Sequence, residues 1–172
     1  MREYSVDPFD SLRVSEIMAQ PVETLGAGSS IDDAVRYFTA PGAPSRHKCY
    51  PVLDEGGRVV GMLARSDVLR WAVQGWPAGQ TLRDATAGQE LVAGYEDELA
   101  GQVADRMVAH DVSRIPILRR SDGGLAGLVG RRDLLRVRTR SLQHERERET
   151  FIRLRLRPRR QAQAAPETSL HG

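Results

Sequence analysis

The chain contains the same pattern twice, and that repetition limits its fold more than any other feature. Tyr50-Pro51-Val52-Leu53 is matched by Ile115-Pro116-Ile117-Leu118. The turn Asp54-Glu55-Gly56-Gly57 is matched by Ser121-Asp122-Gly123-Gly124, and Gly61-Met62-Leu63-Ala64-Arg65-Ser66-Asp67 by Gly127-Leu128-Val129-Gly130-Arg131-Arg132-Asp133. A single copy of about 60 residues buries too little surface to be secure alone. Two copies stacked face to face share a core, so the pair is the folding unit.

Within each copy the periodicity reads helix, strand, strand, helix, behind a short extended lead. Ser30 is placed as an N-cap with Asp33 three residues on, as in a capping box. Ile31, Ala34, Val35 and Phe38 then follow at the spacing of one buried helical face. In the second copy Leu99, Val103 and Met107 keep that face, weakened by Gly101. The runs 50–53 with 58–64 and 115–118 with 125–129, joined by Gly-Gly turns, read as hairpins. A short helix after Asp67 stops at Gly75 and Pro77. The expected class is α/β (α+β). The divisions are an N-terminal linker 1–13, repeat one 14–73, a linker 74–81, repeat two 82–138, a charged helical extension 139–157 and a tail 158–172 expected to be disordered.

Charge is distributed unevenly. Residues 1–130 hold 13 basic and 18 acidic residues, a net of −5, while residues 131–172 hold 12 and 5, a net of +7. A basic end of this kind is either a solvated helix and tail or a contact for an acidic partner. Nothing resembles a recognition helix with its turn, and glutamates interrupt the arginines, so no nucleic-acid partner is expected. No run approaches the roughly 20 apolar residues of a spanning helix. Met1-Arg2-Glu3-Tyr4 leads into no signal-like stretch. The single cysteine, Cys49, excludes an internal disulfide framework and a multi-cysteine metal site and suits a cytoplasmic setting. The histidines His47, His110, His144 and His171 show no metal-ligand spacing. No spacing pairs a nucleophile with a base. His47 and Cys49 stand two apart, but a surface cysteine beside a histidine is ordinarily inert. The expectation is a non-enzymatic protein.

The lead ending in Met18, the strand Tyr50-Pro51-Val52-Leu53 and the run Gly-x-x-x-x-x-Asp before the last helix, present twice, resemble the CBS (cystathionine-β-synthase-type) family. The resemblance covers roughly residues 12–137. It implies two β-α-β-β-α repeats packed through their sheets as one pseudo-symmetric module, commonly associated as a homodimer. It also implies regulation, with no required cofactor. Clefts between the repeats often take AMP, ADP, ATP or S-adenosylmethionine. On this reading Asp67 and Asp133, at helix N-termini, accept ribose hydroxyls. Arg65, Arg131 and Arg132 meet phosphate. Tyr50, Pro51, Val52, Ile115, Pro116 and Ile117 wall the base, and Thr24 contacts it. The plainer alternative makes the two aspartates helix caps and the arginines solvated. The family's hydroxyl three residues after the glycine is missing twice, at Ala64 and Gly130.

Both ends resemble the cytoplasmic region of bacterial CLC-type chloride channels and transporters. There an Asp-Pro linker, here Asp7-Pro8, enters a CBS pair that a charged helix follows. Glu145/Arg148 and Arg146/Glu149 suit such a helix. Phe151 to Arg157 alternates apolar and basic residues, as a last helical turn or an edge strand. The implied partner is a membrane transport domain of the same chain or another protein. The alternative is a stand-alone pair regulating a soluble partner.

Overall fold

A computed structural model describes residues 7–43 and 47–156. The chain divides into two units, Met1–Arg138 and Thr139–Gly172. The first unit holds the expected mixed α/β architecture. Its strands are β1 (Leu25–Gly26), β2 (Cys49–Leu53), β3 (Val59–Ala64), β4 (Gly94–Tyr95), β5 (Arg114–Leu118) and β6 (Leu125–Gly130). The helices are α1 (Ile31–Thr39), α2 (Arg65–Gln74), α3 (Leu82–Thr86), α4 (Ala100–Ala109) and α5 (Arg131–Leu156). Two sheets of the same plan result, ordered β1-β2-β3 and β4-β5-β6. In each the first pair is parallel and the second antiparallel.

Local chemistry sets these boundaries. Ser30 Oγ accepts the Asp33 N–H at 3.0 Å and starts α1. The Asp33 carboxylate itself faces Arg36 at 3.3 Å, so the other half of a capping box is not made there. Ile31, Ala34 and Phe38 turn inward. In the β2–β3 turn, Asp54 Oδ1 accepts the N–H groups of Gly56 and Arg58, both at 2.9 Å. Gly57 supplies the φ of +78° that closes it.

The leads depart from expectation in two ways. They are partly helical: a 3-10 turn occupies Val14–Glu16 in the first, and α3 occupies the second. They are also exchanged. Val14, which opens the first repeat, is buried in the second core among Val103, Met107, Ile115, Ile117 and Val129. Leu82, which opens the second repeat, is buried in the first core beside Ile31, Phe38, Tyr50, Val52 and Leu63. The backbone repeats the exchange with matching bonds. Val14 N–H donates to the Glu98 carbonyl and Leu82 N–H to the Ser29 carbonyl, each at 2.8 Å. Ala100 N–H reaches the Leu12 carbonyl at 2.8 Å, and Ile31 N–H the Gln80 carbonyl at 3.0 Å.

The same docking accounts for Gly101. A Cβ there would stand 3.0 Å from the Phe9 carbonyl oxygen, so glycine lets the Pro8–Asp10 turn lie against α4. Helix propensity gives way to a close backbone approach.

One ion pair ties α4 to the second sheet. Arg106 donates to both Glu98 oxygens, at 2.6 and 2.8 Å, and to the Ala93 carbonyl at 2.9 Å. Glu98 also accepts the Tyr95 N–H at 2.8 Å. The Arg106 hydrogen bonds, more than any other influence, hold the Glu98 carboxyl below the ordinary carboxylate range. A pKa depressed by folding gives stability that is present above the unfolded value and lost as pH falls through the folded one. Acidification below about 4.3, the ordinary glutamate value, therefore destabilises the fold partly through Glu98. Glu98→Gln is expected to flatten that part of a urea-midpoint profile against pH.

In the second unit, residues 139–156 are helical, the continuation of α5. The described side chains from His144 to Thr150 are exposed. The backbone over 151–156 is helix, not an edge strand. Arg157 and the tail 158–172 lie outside the described residues.

Candidate functional site

A cleft of about 410 Å³ lies between the repeats. Cys49 of β2 and Met62 of β3 form one side. Gln89–Val92 from the second lead, and Asp111–Arg114 entering β5, form the other. The internal twofold explains the meeting. Cys49 pairs with Ala64 in the first sheet, and Arg114 pairs with Gly130 in the second. A helix begins directly after each partner. Arg65 N–H donates to the Lys48 carbonyl at 2.9 Å, and Arg131 N–H to the Ser113 carbonyl at 3.2 Å. Both helix starts are thereby sewn to the segments that enter β2 and β5.

The two aspartates behave differently. Asp133 Oδ2 accepts the Gly130 N–H at 2.8 Å, a carboxylate reaching back to the N-cap of its helix. Asp67 instead accepts from Arg70 at 2.9 Å and keeps its side chain 32% exposed. At Ala64 no side chain caps α2. The missing hydroxyl is therefore also a missing cap.

The Asp67 charge reaches Cys49. Burial pushes the thiol above its ordinary range, the Arg114 guanidinium opposes this, and Asp67 adds to it. The thiol stays protonated, which suits a wall and not a nucleophile.

The expected site residues are not gathered in one place. Asp67, Asp133, Arg65, Arg131 and Arg132 stand at the helix starts beside this cleft without lining it, and the three arginines are exposed. Tyr50, Pro51, Val52, Ile115, Pro116 and Ile117 are buried and line neither described cleft. Three successive residues are buried in each of β2 and β5, and successive side chains point to opposite faces, so both faces are covered. The Tyr50 ring meets Phe38 edge-on at 5.2 Å, and its hydroxyl accepts the His47 N–H at 3.2 Å. The apolar cleft wall is instead Cys49, Met62, Leu91, Val92 and Val112.

Thr24 lines a second cleft, of about 620 Å³, with Gln20, Pro21 and Val22 on its own side and Leu125 and Ala126 of β6 opposite. Arg119 stands there too, held by Asp122 at 3.1 Å and the Leu125 carbonyl at 2.9 Å.

Arg114 was missed from sequence. Its signal was position: it precedes Ile115-Pro116 as Cys49 precedes Tyr50-Pro51, at the rim where a side chain leaves the sheet.

Comparison with known proteins agrees with this architecture. The CBS domain family matches residues 14–74 and 89–140. The 5'-AMP-activated protein kinase subunit gamma-3 of Sus scrofa is 32% identical over 128 residues, covering 66% of this chain and 25% of its own. Its Bos taurus counterpart is 31% identical, covering 66% and 26%. The chain thus spans about a quarter of the length of these curated relatives.

Among solved structures, the CBS domain of a CBS domain containing membrane protein from Sphaerobacter thermophilus is 27% identical. It superposes with a TM-score of 0.57, covering 73% of this chain and 87% of that one. The CBS domain pair of protein MJ0100, in complex with 5'-methylthioadenosine and S-adenosyl-L-methionine, is 22% identical with a TM-score of 0.60. It covers 76% and 98%, and shows the shared fold.

Proposed function

Because this chain belongs to the CBS domain family, we propose that it is a non-catalytic regulatory module whose inter-repeat cleft senses an adenosyl ligand. The observation that carries the reading is the cleft of about 410 Å³, where one basic side chain, Arg114, faces an apolar wall of Cys49, Met62, Leu91, Val92 and Val112 with the polar Gln89, Glu90, Asp111 and Ser113 around it, and the Asp67-bearing helix starts beside it. Support comes from the MJ0100 pair, which holds two adenosyl compounds, and from a curated relative named for activation by AMP. A ligand regulates here only by binding one arrangement of the repeats better than another.

Calorimetric titration of AMP, ADP, ATP, S-adenosylmethionine and 5'-methylthioadenosine tests it. At least one ligand is expected to bind saturably. Asp67→Ala is expected to weaken it about 10- to 100-fold, the range for a lost hydrogen bond to a charged group. Asp133→Ala acts first on stability, because its carboxylate caps α5. Silence from all five ligands overturns the sensing role and leaves a scaffold.

Two finer points are part of the same proposal. Homodimerisation is supported by apolar side chains left open on helices: Val73 is 87% and Val108 82% exposed. Sedimentation of the titrated samples reads it out. A membrane transport partner of the chloride-channel type is supported by the Asp7-Pro8 entry and the charged helix after the second repeat. No helix among the described residues is long and apolar enough to cross a membrane, so any such domain lies elsewhere. A soluble partner is the alternative, supported by the kinase-subunit relatives. Fractionation of the parent protein with membranes or with cytosol separates the two.

A further inference from the structure

The two leads are fastened unequally. Ala19 and β6 form an antiparallel bridge of two backbone bonds. Ala19 N–H donates to the Leu128 carbonyl at 2.8 Å, and Leu128 N–H donates back at 3.1 Å. The twofold counterpart of Leu128 is Met62: each pairs with the proline of its central strand. The Met62 N–H goes to a side chain instead, Gln89 Oε1, at 3.1 Å. The second lead turns at Gly88, with φ of +80°, and the next side chain reaches β3. Gln89 is exposed, and both it and Met62 line the 410 Å³ cleft.

We propose that Gln89 is the gate of this cleft. In the empty module its amide holds the segment Gln89–Val92 against β3. When the cleft fills, Met62 N–H passes to an acceptor on the ligand, such as a ring nitrogen of a heteroaromatic base, and the segment moves outward. At β3 this lead is held by one bond from a solvated, rotamer-rich side chain, against two backbone bonds at Ala19; the segment's other ties are Glu90 to His110, at 3.9 Å, and Val92 packed on the second core. Response is therefore confined to one of the two leads. The moving segment follows α3, which Leu82 anchors in the first core, so the signal enters the first repeat. The choice of ligand rests on the adenosyl reading above; the gate itself does not.

Amide hydrogen exchange at Met62 and Leu128, read by NMR on the whole chain, tests the gate without a ligand. Met62 is expected to exchange faster than Leu128. Gln89→Ala is expected to speed Met62 about fivefold, the worth of one ordinary hydrogen bond, and to leave Leu128 unchanged. Gln89→Glu, which keeps an acceptor, is expected to restore slow exchange at Met62. A Met62 amide as slow as Leu128 and indifferent to Gln89→Ala overturns the proposal.

A second arm adds 5'-methylthioadenosine. Protection of Met62 in both wild type and Gln89→Ala, with the variant binding at least as tightly, supports the hand-over. Binding that leaves Met62 unprotected overturns it. If the probe does not bind, the adenosyl reading fails, and the ligand-free comparison still decides the gate.

Discussion

Leu82→Ala is expected to lower the unfolding free energy by about 2–5 kcal/mol, the cost of a large-to-small change in a closed core. The loss should fall on the first repeat, although residue 82 opens the second. Leu82 is fully buried, and its neighbours are the core residues of the first sheet and α1. Both tryptophans, Trp71 and Trp76, pack against that same core. Intrinsic fluorescence is thus a reporter of the repeat that Leu82 closes. In urea, the tryptophan transition of Leu82→Ala should move to lower concentration. Val14→Ala, made in the second core, should move it only through the coupling between repeats. A Leu82→Ala protein within 1 kcal/mol of wild type by this probe, on the scale of ordinary surface changes, sinks the exchanged-lead account. Neither repeat closes its core without a residue that the other half of the chain supplies. For that reason an excised repeat should not fold.

This exchange marks where sequence reading stopped. The hairpins were legible because Asp54 with Gly57, and Asp122 with Gly123, fix their turns within a few residues. α1 was legible from Ser30 and four apolar residues on one face, of which Ile31, Ala34 and Phe38 are buried and Val35 is partly so. Those signals are local. An apolar residue at Val14 or Leu82 says that something is buried there, but hydrophobicity does not name the core it enters. The same limit explains the site. Tyr50 and Ile115 looked like cleft walls because they sit on the repeated anchor, yet each is buried in the core of its own repeat. Cys49 and Arg114, one residue earlier, sit at the half-buried rim. Gln89 carried no motif at all. Its role exists only because Gly88 bends the lead beside a strand that follows from the other half of the repeat.

Gly61→Ala is the sharpest test of that crossing, and it is expected to cost about 1–3 kcal/mol, the range for overpacking a closed interior. A Cβ at residue 61 would lie 2.6 Å from Thr86 Cβ and 2.9 Å from Gln89 Oε1. Thr86 cannot easily retreat: it is 2% exposed, and its hydroxyl donates to the Leu82 carbonyl at 2.8 Å. The glycine at the head of each Gly-x-x-x-x-x-Asp run therefore marks the place where the opposite lead crosses the strand. Gly127→Ala meets the twin crossing, where the nearest atom is Met18 Sδ at 2.5 Å, with the Ala19 carbonyl oxygen at 3.0 Å. A methionine side chain can swing aside, so this variant should lose less than Gly61→Ala. Urea midpoints of the two variants decide the matter. If Gly61→Ala is as stable as wild type, or Gly127→Ala is the worse of the two, the close approach of α3 to β3 is not what requires the glycine.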